Sequence, residues 1–420
     1  MTFMDIRHKR TAFLLGILLT GCISILTACT WQEEPVKTAM ADSIMIKESE
    51  SANQKIVDRI TDMQVAVESV KEPIKVKGIY VTGPVAGIDK MDELIALVDE
   101  TELNAMVIDI KNDMGVITYK MQSETVLEIE SGMAYVQDME GLIQKLKEKD
   151  IYLIARIVAF KDPYLAEKKP ELSLKTQNGE IFRDRNGEAW VNPYNHEVWD
   201  YLMEIGIEAA EIGFDEIQFD YIRFTTDNSA GEIDYGRDAE TKTKEQVIAD
   251  FTQFAHETLH PLGVAVSADV FGTIIDNETD AEIVGQDYRV MAENLDYVCP
   301  MVYPSHYANG AYGIAVPDKA PYDTVYHAMM ASQRKLTGVQ AGVRVWIQDF
   351  TAVWLNDYIS YGPEEVRAQI QAAYDAGYEE WILWNARTNY TEGALIPNWT
   401  EPREEAEAPV DETERLEATE

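Results

Sequence analysis

The stretch Gly213-Phe-Asp-Glu-Ile-Gln-Phe-Asp-Tyr-Ile-Arg-Phe224 decides the fold. It follows a run with apolar residues at helical spacing, which Gly213 ends, and within it Ile217 and Phe219 alternate with polar residues. This change of period predicts a helix, a tight turn and then a buried strand. A charged side chain such as Asp220 at the far end of a buried strand is costly unless a site uses it. The rest of the chain must therefore supply a sheet around this strand and partners for Asp220.

Composition and charge limit the class of protein. The chain has 420 residues, of which 46% are hydrophobic and 26% charged, so it can bury a large core. Its formal net charge is -38. A chain this acidic, without clustered Lys and Arg, is not expected to bind nucleic acid or an anionic membrane surface as its main partner. A neutral substrate fits the charge better.

The N-terminus has the pattern of an export signal, predicted over residues 1–28. Basic residues precede an apolar run that is short for a membrane span. Leu19-Thr-Gly-Cys22 and Leu26-Thr-Ala-Cys29 both resemble the bacterial lipobox, whose Cys becomes lipidated. Cys29 is preferred, because cleavage at Cys22 would leave an apolar segment exposed. The predicted location is the extracytoplasmic face of the cell membrane, held by an N-terminal lipid anchor; the alternative is an uncleaved single-helix anchor.

The remaining chain is predicted to hold one folded domain. Residues 29–75 are polar and read as a flexible tether, residues 76–400 form the domain, and residues 401–420 are a disordered acidic tail. Beyond the two lipobox cysteines only Cys299 is left, so no internal disulfide is expected. The sequence has no Cys/His cluster with zinc spacing, and neither a metal nor another cofactor is predicted.

Eight extended apolar runs alternate with helical patterns inside the domain. They are Val76–Thr82, Ala105–Ile110, Ile151–Phe160, Glu216–Phe224, Val264–Phe271, Leu295–Tyr303, Val343–Gln348 and Glu380–Asn385. Continuous apolar strands that alternate with helices indicate a parallel sheet covered by helices. Eight such units predict an α/β fold of the (β/α)8 TIM barrel type. A doubly wound open sheet is the competing arrangement, but no Gly-rich phosphate loop follows the first strand, which weakens a nucleotide-binding interpretation.

Two carboxylates are the candidate catalytic residues. In a barrel the site lies at the carboxyl ends of the strands, and Asp220 and Asp269 end adjacent strands. Their carboxyl groups are expected about 5 to 9 Å apart, the span used by paired-carboxylate glycosidases. One would be the ionised nucleophile and the other the protonated acid. The structural alternatives are an ion pair of Asp220 with Arg223 or Arg156, and a loop-capping role for Asp269.

Other polar and aromatic residues near the strand ends are predicted to bind substrate. They are Asp109, Arg156, Arg223, Tyr303, His306, Gln348, Trp384 and Asn385. Each has a plain alternative: a salt bridge with Lys111 for Asp109, a loop position for His306, and core packing for the aromatic residues, including Trp346. Glu216 starts its strand and is interpreted as structural.

Five motifs also resemble a known bacterial family. They are Val76-Lys-Gly-Ile-Tyr80, Val107-Ile-Asp-Ile-Lys-Asn-Asp-Met-Gly115, Ile154-Ala-Arg-Ile-Val-Ala-Phe-Lys-Asp162, Phe214-Asp-Glu-Ile-Gln-Phe-Asp-Tyr-Ile-Arg-Phe224 and Asp296-Tyr-Val-Cys-Pro-Met-Val-Tyr-Pro-Ser-His-Tyr307. The family is the one called putative glycoside hydrolases, of unknown function and assigned to the glycosidase barrels, and the resemblance covers Val76 to Trp399.

The resemblance implies roles for both candidate carboxylates. In alpha-amylase-type barrels the nucleophile is an Asp at the end of the fourth strand, which corresponds to Asp220. The fifth strand often carries the acid and base, commonly a Glu, whereas this sequence has Asp269. The family pattern continues Arg-Phe-Pro after the first Asp, but Thr225 follows Phe224 here. We expect a different loop exit and the same chemistry.

The sequence therefore predicts a surface-anchored glycosidase that acts on a poly- or oligosaccharide, with a retaining mechanism. The alternative from another class is a catalytically inactive carbohydrate-binding or envelope lipoprotein on the same barrel, since a fold alone does not establish activity. A metal-dependent barrel hydrolase is disfavoured, because His residues are not clustered at the strand ends.

Overall fold

A closed barrel of parallel strands forms the centre of the molecule. The computed structural model describes residues 74–227 and 233–397, so the predicted signal, almost all of the tether and the acidic tail lie outside the described residues. The eight barrel strands are β1 Lys77–Val81, β2 Ala105–Lys111, β3 Tyr152–Val158, β4 Glu216–Asp220, β5 Ala265–Phe271, β6 Tyr297–Met301, β7 Val345–Gln348 and β8 Trp381–Trp384. Each pairs in parallel with its neighbour in sequence, and β8 pairs with β1. The predicted barrel is confirmed.

The seam between β6 and β7 is the least regular part of the barrel. Trp346 of β7 is in register with Met301 of β6. A two-residue strand, Gly342–Val343, precedes β7 and pairs with the start of β6. Together these two short pairings close the barrel.

Helices cover the outside of the barrel. They are α1 Gly83–Ala86, α2 Lys90–Glu100, α3 Glu124–Ile129, α4 Met139–Lys147, α5 Pro163–Lys168, α6 His196–Glu211, α7 Lys244–Leu259, α8 Glu278–Val284, α9 Tyr288–Asn294, α10 Pro321–Lys335 and α11 Pro363–Asp375. Their buried faces follow the predicted helical spacing; in α2 the buried residues are Met91, Leu94, Ile95 and Val98.

The helix before β4 has clear start and stop signals. The Asn195 side chain accepts a 2.9 Å hydrogen bond from the backbone N–H of Glu197 and caps α6. Gly213 has a φ of 112°, a conformation that a residue with a Cβ rarely adopts, and it turns the chain from α6 into β4. The helix, turn and strand therefore follow the predicted order.

No α-helix follows the eighth strand in the part of the chain that the structure describes; a single 3-10 turn, Glu392–Ala394, comes after it. A short segment instead returns to the loop after α2. There the backbone N–H of Glu102 donates to the Ile396 carbonyl (2.8 Å), and the Ile396 N–H donates to the Glu102 carboxylate (3.0 Å).

The fourth strand ends earlier than predicted. It stops at Asp220 and not at Phe224, because Tyr221 has a φ of 49°, in the left-handed region. That region breaks an extended run. Arg223 consequently lies on the loop after β4 and not on the strand.

A buried ionic network fills the amino end of the barrel. Arg344 donates to carboxylates of both Glu216 and Glu380, the latter at 2.6 Å, and its guanidinium lies 3.4 Å from the centroid of the Tyr297 ring. Arg344 and Glu216 are fully buried. Glu216 therefore has a structural environment, at the end of the barrel opposite the strand carboxyl ends.

Two further sequence expectations concern the described residues. Cys299 is buried inside the barrel as a free thiol. Within residues 74–227 and 233–397, no helix is both long enough and apolar enough to cross a membrane.

Candidate active site

A cavity of about 610 Å³ opens at the carboxyl ends of the strands. Asp220 and Asp269, the two predicted catalytic residues, both line it. Five of the eight residues predicted to bind substrate also line it: Arg156, Arg223, Tyr303, His306 and Trp384. Helix α8 contributes one wall through Asp280, Ile283 and Val284. The structure thus brings most of the predicted site residues together.

The two aspartates lie level on neighbouring strands. The register pairs Phe219 of β4 with Ala268 of β5, which places the next residues, Asp220 and Asp269, side by side. Adjacent strands are about 4.8 Å apart. Both side chains point into the barrel because they share the inward parity of their strands with Gln218 and Ser267.

Asp220 is held by a buried arginine and by the backbone. Arg156 of β3 donates from Nε (3.1 Å) and Nη2 to Oδ2 of Asp220. The N–H of Tyr221 donates to Oδ1 (2.6 Å), in the left-handed conformation that ends β4. Unfavourable backbone conformations cost about 1–3 kcal/mol and cluster at functional sites. The Tyr221 N–H follows directly on Asp220 and holds its carboxylate at the point where β4 ends.

Arg156 is itself held by a second carboxylate. Its Nη1 donates to Oδ1 of Asp109 (2.6 Å), and the Tyr80 hydroxyl donates to Oδ2 of Asp109 (2.5 Å). Burial acts to lower the pKa of Arg156, but the charges of Asp220 and Asp109 outweigh it and raise the pKa well above its usual value. The guanidinium is therefore a fixed cation between the two carboxylates.

Asp269 has a different environment from Asp220. It is buried, and the indole Nε1 of Trp346 donates a 2.6 Å hydrogen bond to its Oδ1. Burial, followed by the negative charge of Asp220, raises the pKa of Asp269 well above its usual value, although Arg156 and Trp346 act in the opposite direction. Of the two carboxyl groups, Asp269 is therefore the one that the site favours as the neutral acid.

Aromatic side chains line one side of the site. Trp384 of β8 is half-buried and stacks on Tyr80 with ring centroids 4.3 Å apart. It also packs edge-on against Trp346, and the Arg156 guanidinium lies 5.7 Å from its ring centroid. The Trp384 ring, exposed to the cavity and backed by Tyr80, has the form of a flat sugar-binding surface.

A second group of rings lies at the rim of the cavity. His306 is exposed and packs edge-on against Tyr303, Phe350 and Trp354. Trp354 is 61% exposed and stacks on Phe350 with centroids 5.8 Å apart. These rings extend the aromatic surface away from the two aspartates.

Three residues predicted to bind substrate do not line the cavity: Asp109, Gln348 and Asn385. Asp109 lies behind Arg156 and pairs with it, while Lys111 pairs with Asp162 at 2.8 Å. Gln348 is fully buried and accepts from the Ser305 N–H (3.1 Å). Asn385 donates to the carbonyl of Asp349 (2.6 Å). All three side chains are engaged in contacts within the protein.

The ion pair of Asp220 with Arg156 is one of the alternatives that the sequence offers. Sequence reasoning missed Trp346 as the donor to Asp269 and Tyr80 as the donor to Asp109. Tyr80 and Trp346 lie on β1 and β7 at inward-facing positions, so strand parity could have placed both in the barrel. The role of Tyr221 has no such signal, because its left-handed conformation appears only in the structure.

One cluster among the described residues has ligands and spacing suited to a cation. Ligand atoms of His256, His260 and Asp296 lie within 4.8 Å of one another. Asp296 also accepts from the Val266 N–H (2.8 Å), next to the start of β5. The cluster therefore lies at the amino end of the barrel, opposite the cavity, and takes no part in the site.

Comparison with protein families finds a match over most of the chain. The family described as "Putative glycosyl hydrolase domain" matches residues 78–390. No curated protein matches the chain.

Several solved structures are similar to the chain. The glycoside hydrolase domain of PgaB (BpsB) from Bordetella bronchiseptica is 12% identical, with 75% of this chain and 95% of that chain covered and a TM-score of 0.56. A β-galactosidase from the psychrophilic Marinomonas ef1 is 12% identical, with 77% and 56% covered and a TM-score of 0.50. A hypothetical protein from Ruminiclostridium thermocellum ATCC 27405 is 39% identical over 46% of this chain and 97% of that chain, with a TM-score of 0.43. The first two likenesses show a shared barrel fold.

Proposed function

Because the chain belongs to the "Putative glycosyl hydrolase domain" family and is a glycosidase, we propose that it cleaves a poly- or oligosaccharide by a retaining mechanism. Asp220 is the nucleophile and Asp269 is the general acid and base. The observation that carries this proposal is the contrast between two level carboxyl groups in one cavity. Asp220 is paired with Arg156, whereas burial and the charge of Asp220 raise the pKa of Asp269.

The strand register favours retention. Retaining glycosidases hold their two carboxyl groups about 5–5.5 Å apart, and inverting enzymes hold them about 6.5–9.5 Å apart to leave room for a water. Asp220 and Asp269 end neighbouring strands at level positions. Side chains that leave neighbouring strands at the same level and both line one cavity favour the shorter of the two separations.

The proposed reaction has two steps. In the first, an oxygen of Asp220 attacks the anomeric carbon and forms a glycosyl ester, while the bond to the leaving oxygen breaks and that oxygen takes the proton of Asp269. In the second, the Asp269 carboxylate takes a proton from water. The resulting hydroxide attacks the anomeric carbon, and the ester bond to Asp220 breaks.

Residues around the pair have supporting roles in this proposal. Arg156 and the Tyr221 N–H fix the orientation of the nucleophile. Trp384 offers a face for the sugar bound next to the aspartates, and His306 with its ring neighbours offers a face for a sugar further out. Stacking on aromatic faces suits a chain of sugars with apolar ring surfaces.

We also propose that the enzyme is a surface lipoprotein anchored through Cys29. The support is the lipobox-like Leu26-Thr-Ala-Cys29 after an apolar run. In cells that express the full chain, Cys29→Ala should move the protein from the membrane fraction to the medium, and Cys22→Ala should leave it in the membrane. Release by Cys22→Ala alone would assign the anchor to Cys22.

Two variants of the full chain test the catalytic proposal. A panel of envelope and extracellular polysaccharides is screened by reducing-end release, and the anomer formed first is read by proton NMR. Asp220→Asn should abolish turnover and retain glycan binding. Asp269→Asn should retain the first step on aryl glycosides with good leaving groups, and azide should rescue the second step.

The same screen distinguishes a glycosidase from the alternative, a catalytically inactive carbohydrate-binding lipoprotein. A wild type that binds a glycan but cleaves none would favour the binding lipoprotein. Turnover that survives in Asp220→Asn would remove Asp220 from the mechanism. An α- or β-product inverted relative to the substrate would contradict retention and leave the paired carboxylates in place.

A further inference from the structure

Three arginines are buried among the described residues: Arg156, Arg223 and Arg344. Arg156 pairs with Asp109 and Asp220, and Arg344 pairs with Glu216 and Glu380. Arg223 is 9% exposed, and no carboxylate of the described residues forms an ion pair with it. Arg223 therefore differs from the other two buried arginines of the described residues, which both contact carboxylates.

Among the described residues, one acceptor, a backbone carbonyl, takes a hydrogen bond from the Arg223 side chain. A guanidinium has five N–H groups. Nη1 donates to the Phe224 carbonyl (2.9 Å). The rings of Trp190, Tyr221 and Phe271 surround the group, with centroids 5.1, 5.0 and 4.6 Å from its central carbon. The rings hold the guanidinium plane in place, but they do not provide a counterion.

Arg223 faces the ligand space on two sides. It lines the active-site cavity with Asp220 and Asp269, and it lines a smaller cavity of about 350 Å³. Tyr221, Arg223 and Thr226 line both cavities, so the two spaces adjoin at this arginine. A sugar bound beside Asp220 can therefore reach Arg223 with a substituent.

Other charged groups of the smaller cavity are already engaged. Lys161 pairs with Asp113 and Glu188. Asp184 accepts from the Trp190 indole N–H (3.1 Å) and from backbone N–H groups of its own turn. Asp227 lies 3.9 Å from Arg185, whose side chain is 77% exposed. Burial lowers the pKa of Arg223, although the charges of Asp220 and Asp184 act in the opposite direction. Among the described residues, none of these groups forms an ion pair with Arg223.

We propose that Arg223 binds a carboxylate carried by the substrate, so that the enzyme acts on an acidic glycan, for example one that contains uronic acid. This inference rests on the proposed glycosidase function. A buried cation is costly when no carboxylate contacts it, as holds for Arg223 among the described residues, and a ligand anion that makes this contact recovers that cost on binding. The planar guanidinium matches the two oxygens of a carboxylate.

One available cation favours a group with one negative charge. A phosphate monoester carries about 1.5 to 2 negative charges at neutral pH and would need a second free cation. The other two cations that line the smaller cavity, Lys161 and Arg185, already have carboxylate partners. A carboxylate is matched by Arg223 alone.

The acidic net charge of the chain does not contradict this assignment. The Debye length is about 8 Å at physiological ionic strength, so distant surface charges are screened. The expectation of a neutral substrate is based on the net charge of -38 of the whole chain. A bound sugar, however, contacts only the groups that line the cavity.

Matched pairs of glycans test the inference on the full chain. Polygalacturonate, alginate and a glucuronate-containing polymer are each compared with their carboxyl-reduced forms, in which the acid becomes a primary alcohol. The expected result is kcat/KM at least about 100-fold higher for the acidic member of one pair, because a site built for a charged group rejects the analogue that lacks it. Oligouronates should also raise the Tm of the wild type more than their reduced forms do.

Variants of two arginines assign the effect. Arg223→Met should lose the preference for the acidic glycan and the Tm increase, and Arg223→Lys should keep part of both because it keeps the charge but not the planar fork. Arg387→Met is the matched control at an exposed arginine that lines neither cavity and should behave as the wild type. If Arg223→Met does not fold, Arg223→Lys decides through its weakened preference.

Each remaining outcome has a definite meaning. Equal turnover of acidic and reduced glycans, or a preference that Arg223→Met retains, overturns the inference while the glycosidase stands. Binding of sulfated polymers in place of carboxylated ones overturns the carboxylate assignment. A wild type that cleaves no glycan overturns the proposed function, and the Tm increase by oligouronates then tests Arg223 separately.

Discussion

The indole Nε1 of Trp346 donates a 2.6 Å hydrogen bond to Oδ1 of Asp269. The two residues belong to β7 and β5, which are not neighbours in the barrel, so the bond crosses the barrel interior. A hydrogen bond of this kind stabilises the carboxylate form and opposes the burial and the Asp220 charge that raise the pKa of Asp269. Trp346 therefore sets how firmly the acid holds its proton.

Replacing Trp346 should shift the pH dependence of catalysis. Trp346→Phe removes the donor, so the pKa of Asp269 should rise further and the alkaline limb of kcat/KM should move to higher pH. A hydrogen bond to a charged group contributes about 1.5–3 kcal/mol, which corresponds to about one pH unit or more. Trp384→Phe, which alters a cavity ring without this bond, should leave the limb in place. A limb that moves to lower pH in Trp346→Phe would contradict the assignment of Asp269 as the acid.

The raised pKa of Asp269 also predicts a pH-dependent stability change in Asp269→Asn. Below the unfolded pKa both states hold the proton, so the carboxyl group costs nothing. As the pH rises, the unfolded state ionises first, and the native state loses stability until the folded pKa is passed. Asparagine lacks this cost, so the free energy of unfolding of the variant, relative to that of the wild type, should be larger at pH 7 than at pH 4. Urea unfolding at both pH values measures it, and an equal difference at the two values would contradict the prediction.

The barrel could be predicted because its strands are buried on both faces. Their apolar runs are continuous, and the observed bounds differ from the predicted ones by a few residues at most. The fifth run, for example, is predicted over Val264–Phe271, and β5 begins one residue later, at Ala265. The placement of Asp220 and Asp269 followed from the same rule, since the carboxyl ends of parallel strands meet at one end of a barrel.

The contacts of the site residues could not be predicted in the same way. Gln348 follows the rule for strand ends, but its side chain is taken up by Ser305 and Asp318 from other loops. Arg223 lies off its strand because Tyr221 adopts a left-handed conformation. Both outcomes depend on contacts between distant parts of the chain, or on a single backbone angle, and neither leaves a periodic signal in the sequence.

Asp109 should act as a positioning residue for the nucleophile. It does not line the cavity, but it binds Nη1 of Arg156, whose Nε and Nη2 hold Asp220. Asp109→Asn should weaken this support and lower kcat by about 10- to 100-fold with little change in KM, as expected for a lost charged hydrogen bond. Tyr80→Phe removes only the 2.5 Å hydrogen bond to Asp109 and should have a smaller effect. A wild-type kcat in Asp109→Asn would show that Arg156 is held without it.

The ionic network at the amino end of the barrel should contribute to stability and not to catalysis. Arg344→Met leaves Glu216 and Glu380 buried without their cation, and breaking a buried pair in this way costs about 3–5 kcal/mol. Replacing both glutamates by glutamine in the same chain removes the uncompensated charges and should restore most of the loss. Arg223→Met is the comparison at a buried arginine without a carboxylate and should cost far less. Urea unfolding of the variants measures these differences, and a loss below about 1 kcal/mol in Arg344→Met would contradict the role of the network. The network lies at the opposite end of the barrel from Asp220 and Asp269. The folded fraction of the Arg344→Met variant should therefore keep the wild-type kcat, because the network stabilises the barrel and does not contact the catalytic residues.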